Sequence, residues 1–255
     1  MSRLDSDAMD DEFGVAAAWT EEAARALGPG HAVPAGCRGS GSVGALRWLA
    51  DRMGLGAGEL LVDAGAGVGG PAAWAAGELQ VVPVCLEPML PAVHASRHLG
   101  GLASAVALGQ ALPLRDGVTR AAWSLGVLCT TADKAGALAE LRRVLQPGGR
   151  LGLLVFVQVV DDLPAPAPEG NEFPTEEQLG RLLSEAGFRV EEQGAADLHD
   201  NPPGWDEAAD AVDAEVERRH GDDPRFARSK AQAGAMGTLI GAGALRPTLL
   251  VATAV

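Results

Sequence analysis

The segment Leu60-Leu61-Val62-Asp63-Ala64-Gly65-Ala66-Gly67-Val68-Gly69-Gly70 constrains this chain more than any other. A short apolar run ends in an acid, glycine follows at every second position, and Pro71 then suits the first turn of a helix. An apolar run without a polar face is the pattern of a parallel strand buried on both sides. Glycines after such a strand permit positive φ and let a ligand approach the backbone closely. The segment therefore predicts a strand, a tight loop and a helix within an open α/β sheet, whose ligands bind at the carboxyl ends of the strands.

Two cofactor classes compete for this loop. Gly65, Gly67 and Gly70 satisfy G-x-G-x-x-G, and Glu87 follows about twenty residues on, as in dinucleotide-binding proteins. The same residues satisfy D-x-G-x-G-x-G, with Asp63 two places before the first glycine. A carboxylate there would repel a pyrophosphate lying over the loop, whereas a ligand with a cationic head would tolerate or use it. The glycines alone leave the choice open.

The following hundred or so residues supply more. Val81 to Leu86 is a second apolar run ending in Glu87-Pro88-Met89. Then come Gly109-Gln110-Ala111-Leu112-Pro113-Leu114, the run Ala121 to Leu128, a helix, and Leu145-Gln146-Pro147-Gly148-Gly149-Arg150-Leu151 leading into Gly152 to Val157. In order and spacing, residues 55–195 resemble the class I S-adenosylmethionine-dependent methyltransferases. The proline-glycine-glycine turn into an apolar strand is typical of that family and not of dehydrogenases. The resemblance implies an α/β fold, a doubly wound, mostly parallel seven-stranded Rossmann-like sheet with helical lid elements. It also implies S-adenosyl-L-methionine as cofactor and methyl transfer by in-line displacement.

Roles for individual residues follow from the same resemblance. Gly65, Gly67 and Gly69 would line the methionine end of the cofactor, and Asp63 would anchor that end through backbone amides or water. Glu87 would accept the ribose hydroxyls. Met89 and Leu112 would sandwich the adenine, or else belong to the core. Gln110, with Ala111 beside it, stands where the family often has Asp; its amide oxygen can still accept from the adenine amino group, without charge assistance. Leu125 and Gly126 would face the methionine moiety. Arg38, in Cys37-Arg38-Gly39-Ser40-Gly41, is either the bidentate partner of the cofactor carboxylate or a solvated loop arginine.

The family has no universal catalytic residue, because alignment of donor and acceptor does most of the work. The chain has no tyrosine, which removes one common base. His199, beside Asp200, and His31, beside Gly30, are the candidate proton acceptors, each with an exposed loop histidine as the plainer reading. His94 and His98 lie four apart on a helix but read as a surface pair, so no metal site is expected. Trp19 and Trp205 would give the substrate pocket aromatic walls or pack in the core.

Composition narrows the partners. A net charge of −14, with 20 basic residues scattered among 34 acidic ones, disfavours nucleic acid and favours a small-molecule methyl acceptor. Cys37, Cys85 and Cys129 form neither a disulfide framework nor a metal pair, and the C-x-x-x-C-x-x-C signature of radical enzymes is missing. The apolar run Leu151 to Val160 is about half the ~20 residues of a membrane span. Met1 to Glu12 is polar and acidic, unlike a signal peptide, so a cytoplasmic protein is expected.

The 255 residues divide into an N-terminal helical lid (1–54), a cofactor-binding core (55–198), and a substrate lid segment with a closing strand (199–255). Helices are expected over Gly14 to Leu27, Ser42 to Met53 with Ser42 as N-cap, Thr175 to Ala186 with a Thr175/Gln178 capping box, Trp205 to about His220, and Asp223 to Ile240. Asp161 to Pro174 reads as a loop and Leu249 to Val255 as the last strand. Methyl transfer to a small acceptor, a specialised metabolite, is the reading that follows. The alternatives are a methyltransferase-fold cyclase or ligand-binding partner that does not methylate and, more distantly, a nicotinamide-dependent oxidoreductase.

Overall fold

The computed structural model describes the backbone of residues 3–255 and side chains from Phe13 onward. Apart from the backbone of the first helix, the acidic stretch Met1 to Glu12 lies outside the described residues. The chain opens with helix α1 (Arg3–Leu27), a single 3-10 turn (Pro29–His31) and the short helix α2 (Ala32–Gly36). Helix α3 (Val43–Met53) follows. The core then alternates β1 (Leu60–Ala64), α4 (Gly70–Leu79), β2 (Val82–Glu87), α5 (Leu90–Gly100), β3 (Ala103–Val106) and β4 (Thr119–Leu125). It continues through α6 (Lys134–Val144), β5 (Leu145–Gln158), α7 (Glu176–Glu185) and β6 (Phe188–Ala195). Helices α8 (Trp205–His220) and α9 (Pro224–Gly241) precede the last strand, β7 (Leu245–Ala254).

The seven strands form one sheet in the order β3-β2-β1-β4-β5-β7-β6. Strands β1 to β5 pair in parallel, and β7 enters antiparallel between β5 and β6. The sheet is thus α/β and mostly parallel, as expected. β7 begins four residues earlier than the sequence suggested, because Pro247 is accommodated within it. Pairing with β6 reaches only to Thr248, so the missing N–H of Pro247 falls near the end of that ladder.

Local chemistry explains most helix boundaries. Ser42 Oγ accepts from Ala45 N at 3.1 Å to start α3, and Gly54, at φ 68°, ends it in the left-handed region. Thr175 and Gln178 close the expected capping box at 3.2 and 2.8 Å. Asp133 and Asp223 cap α6 and α9 through the backbone N–H groups of Gly136 and Arg225.

Two apolar layers sandwich the sheet. One face packs Val62, Leu153 and Leu250 against Leu138 and Leu141 of α6 and Leu183 of α7. The other packs Leu61, Trp123 and Leu154 against Leu46 and Leu49 of α3 and Trp74 of α4. The two chain ends meet beside this sandwich. Ala23 and Ala24 of α1, Ala32 and Ala35 of α2, and Val212 of α8 share a small apolar cluster. The Trp19 ring stacks on His220 with centroids 4.7 Å apart, and Glu22 bonds His220 at 2.9 Å. Trp19 therefore joins α1 to α8. Among the described residues no helix is long and apolar enough to cross a membrane.

Candidate active site

The glycine-rich turn joins β1 to α4. Gly65, Gly67 and Gly69 all have positive φ, but they answer different needs. A Cβ on Gly65 would lie 2.3 Å from the Val127 side chain, so glycine is required for the β1 and β4 loops to touch. A Cβ on Gly67 would meet nothing within 4 Å; this part of the turn faces open space. Gly69 supplies the left-handed N-cap of α4, whose first turn lies against the end of α2, since a Cβ on Gly70 would fall 2.1 Å from the Gly36 backbone.

Two buried carboxylates stand below this turn. Glu87, 4% exposed at the end of β2, accepts from Gly67 N at 2.9 Å and from Met89 N at 3.2 Å. Its carboxylate is thereby fixed to the open part of the glycine turn. Asp63 ends β1 at 2% exposure, abreast of Cys85 on β2 and Trp123 on β4. Burial pushes its pKa up to about 7; the Trp123 indole N–H draws it down, and the charge of Glu87 adds to the rise. Yet Asp63 Oδ2 and Trp123 Nε1 are both buried without a hydrogen-bond partner. Burial, together with the Asp63 charge, also pushes the Cys37 and Cys85 thiols up, so neither is a nucleophile.

An unpartnered buried carboxylate oxygen and a glycine cradle open above Gly67 fit a ligand that brings a cation and hydrogen-bond donors. S-adenosylmethionine meets both conditions. Asp63 was expected to anchor the methionine end of the cofactor through backbone amides or water; its Oδ2 closes no hydrogen bond among the described residues.

The remaining expected cofactor contacts are spread along the carboxyl edge of the sheet. Met89 is half-buried and is the N-cap residue of α5. Gln110 and Ala111 are exposed on the loop after β3, whereas Leu112 is 5% exposed among Leu128, Leu138 and Leu141 and so is part of the core. Its backbone N–H donates to Glu140 Oε2 at 2.8 Å, which fixes the loop. Leu125 is buried in the opposite layer. A Cβ on Gly126 would lie 2.6 Å from Gly39 O, so the loop carrying Arg38 rests on the end of β4. Arg38 itself pairs with Asp210 and, at 3.0 Å, with Asp213, both on α8.

Two chambers open beside Gly39, Phe156 and Leu198, which line both. The first, of about 450 Å³, reaches Gly126 and is walled by α9. The second, of about 440 Å³, is lined by Arg38, His199, Asn201, Trp205 and Asp206. His199 is exposed there, its backbone N–H donating to Asp197 Oδ1 at 2.9 Å. His31 lines neither chamber; its Nδ1 lies 3.3 Å from Gly28 O. His94 and His98 are exposed on α5, and His98 bonds Glu21. Among the described residues no group of three or more His, Cys, Asp or Glu side chains converges to hold a metal. The sequence reading expected a helix over Asp223 to Ile240 within the lid segment, and α9 is that helix, but it named none of the residues that wall the chamber. The signal for them was the spacing of Ala233, Met236, Gly237 and Ile240 on one helical face.

Residues 62–153 match the family described as "Methyltransferase domain". Methyltransferase GfsG of Streptomyces halstedii is 29% identical over 131 residues, covering 48% of this chain and 47% of that protein. The match thus spans about half the length of that curated relative. Among solved structures, the [4+2]-cyclase SpnF superposes with a TM-score of 0.65 at 24% identity, covering 82% of this chain and 79% of that one. A geranyl diphosphate C-methyltransferase from Streptomyces coelicolor A3(2), solved with S-adenosyl-L-homocysteine, superposes with a TM-score of 0.59 at 16% identity, covering 83% and 77%. The chain therefore contains a class I S-adenosylmethionine-dependent methyltransferase domain with a Rossmann-like fold. Its cofactor is S-adenosylmethionine, which decides between the two classes that the glycine motif left open.

Proposed function

We propose that this chain transfers a methyl group from S-adenosylmethionine to a small-molecule acceptor, a specialised metabolite. The observation that carries the proposal is the position of the first chamber: it opens at Gly126, at the carboxyl end of β4, and the adjoining Val127 touches Gly65 of the glycine turn. An acceptor in that chamber lies beside the cofactor cradle. When bound, the sulfonium supplies a methyl group already activated for displacement.

The protein's own residues bind, orient and exclude water. Glu87, held by Gly67 and Met89, is positioned to accept the ribose hydroxyls, and Gly65, Gly67 and Gly69 line the methionine end. Asp63 Oδ2 receives the cationic end, directly or through water. Arg38 takes the cofactor carboxylate by exchanging its partners on α8. Gln110 and Ala111 border the adenine with Met89; Leu125 and Gly126 close the methionine side through their backbone. His199, in the adjoining chamber, is the candidate proton acceptor, and His31 a weaker one. The segments 1–54 and 199–255 act as one lid over the core 55–198, a reading supported by the α1–α2–α8 apolar cluster. Alignment of this kind can supply ~7–11 kcal/mol of the barrier.

The acidic net charge supports a small molecule rather than nucleic acid, and three unpaired cysteines suit a cytoplasmic setting. One observation favours a second reading, a cyclase or ligand-binding protein that keeps the cofactor without consuming it. Among the described residues, Glu169 is the first chamber's one carboxylate and no histidine or lysine lines it, and burial pushes its Cys129 thiol up to about 11. Calorimetric titration with S-adenosylmethionine and S-adenosylhomocysteine, with Glu87→Ala alongside, tests the cofactor. S-adenosylhomocysteine release with an acceptor panel then separates methyl transfer from cyclisation. Absence of binding by either sulfur cofactor would sink the methyltransferase assignment.

A further inference from the structure

The first chamber carries information about the acceptor itself. Four of its polar side chains are turned onto the protein: Thr130 Oγ1 donates to Val127 O at 2.9 Å and Cys129 Sγ to Gly126 O at 3.2 Å. Asn171 Nδ2 donates to Glu169 O at 3.2 Å, and Gln232 Oε1 accepts from Glu169 N at 2.8 Å. Most of the surface left to a ligand is apolar, made by Phe156, Leu198, Met236 and Ile240. Among the described residues, Arg228 and Glu169 are the lining's one cation and one anion, so the described wall has no net charge. A phosphate or diphosphate group relies on clustered basic side chains or helix N-termini, and one exposed arginine does not provide them. Desolvating any charged acceptor against this wall would be unfavourable.

The shape of the chamber comes from α9. Ala233 and Gly237 stand one turn apart on the α9 face that also carries Met236 and Ile240, and a Cβ on Gly237 would meet nothing within 4 Å. The volume of about 450 Å³ lies within the range of drug-sized ligand sites. We propose that this chamber binds a neutral, predominantly apolar acceptor, and that Gly237, with Ala233, sets the largest acceptor it admits. The assignment of the ligand as acceptor rests on the methyltransferase reading; the chemistry of the chamber does not.

Nile red, a neutral apolar fluorophore, is the probe. Wild-type protein should bind it saturably at one site per chain with enhanced, blue-shifted emission. Gly237→Trp should weaken binding at least tenfold, while Gly237→Ala changes it less than threefold. Ala233→Phe provides a second obstruction in case Gly237→Trp fails to fold. Gly180→Trp, at an exposed glycine of α7 with open space around it, should leave binding unchanged. Unsaturable binding, or binding that survives both obstructions in folded protein, would overturn the proposal. So would saturable binding of inorganic pyrophosphate that Arg228→Ala abolishes. Calorimetry with S-adenosylhomocysteine on the same variants keeps the two readings apart: unchanged affinity with lost Nile red binding supports the chamber assignment. Absence of cofactor binding in wild type, with the Gly237 dependence intact, removes the methyltransferase reading alone.

Discussion

Asp63 and Trp123 stand abreast on neighbouring strands β1 and β4, each with a buried polar atom, Oδ2 and Nε1, that closes no hydrogen bond. Such a pair is costly in an empty site and becomes useful once a ligand supplies the missing partner. The pH behaviour of the protein should follow from it. Burial raises the Asp63 pKa to about 7, so the folded protein holds that proton more tightly than the unfolded chain does. This contribution to stability is present below about pH 4 and is lost as the pH rises towards 7. Urea midpoints across that window should fall for wild type relative to Asp63→Asn; parallel curves would refute the shift.

The same titration should reach the cofactor. If the cationic end of S-adenosylmethionine meets Asp63, binding favours the ionised carboxylate. Affinity should then increase between pH 5.5 and 7, by up to ~10-fold per pH unit where the group is protonated in the free protein. Calorimetry in buffers of different ionisation enthalpy should show proton release, and Asp63→Asn should remove it. A flat profile would separate Asp63 from the cofactor.

Glu87→Ala should raise the cofactor dissociation constant at least ~10-fold, because it removes a charged hydrogen-bond acceptor worth ~1.5–3 kcal/mol. It also frees the Gly67 and Met89 amides that the carboxylate holds. Glu87→Gln, with one acceptor oxygen left, should fall between. Equal affinity for all three would exclude Glu87 from the site.

Gly65→Ala and Gly67→Ala should differ. Both place a side chain at positive φ, a cost of ~1–2 kcal/mol, but only position 65 also forces a methyl into Val127. Gly65→Ala should therefore lower the melting temperature markedly, through overpacking worth a further ~1–3 kcal/mol. Gly67→Ala should lower it less yet still weaken cofactor binding, since its methyl enters the open cradle. Thermal denaturation and calorimetry on the two variants check this; equal loss of stability would contradict it.

Arg38→Ala should weaken cofactor binding, whereas Asp210→Asn combined with Asp213→Asn should preserve or improve it by releasing the guanidinium. The ion pairs themselves are exposed and contribute little to stability. If both changes leave affinity untouched, Arg38 serves only to hold α8.

Much of the site was legible because its signals are local. The glycine turn, the acids that end β1 and β2, the Ser42 cap and the Thr175/Gln178 box each depend on residues a few places apart. Leu112 was left between adenine contact and core; it packs with Leu128, Leu138 and Leu141 beside the exposed Gln110 and Ala111, a placement no local pattern gave. Trp19 was left between pocket wall and packing, and its stack on His220 makes it a joint between the chain ends.

By itself the sequence determined the strand–glycine turn–helix unit and the mostly parallel sheet, because periodicity, caps and positive-φ glycines act over short stretches of chain; the class of cofactor came from the resemblance over residues 55–195, since the glycine motif fits two. Only the tertiary structure decided that Arg38 meets Asp210 and Asp213, that β7 inserts antiparallel between β5 and β6, and that α9 closes an apolar chamber over Gly126 and Phe156. Those contacts join residues remote in the chain, and they are selected by which buried surfaces fit together, which no local pattern encodes.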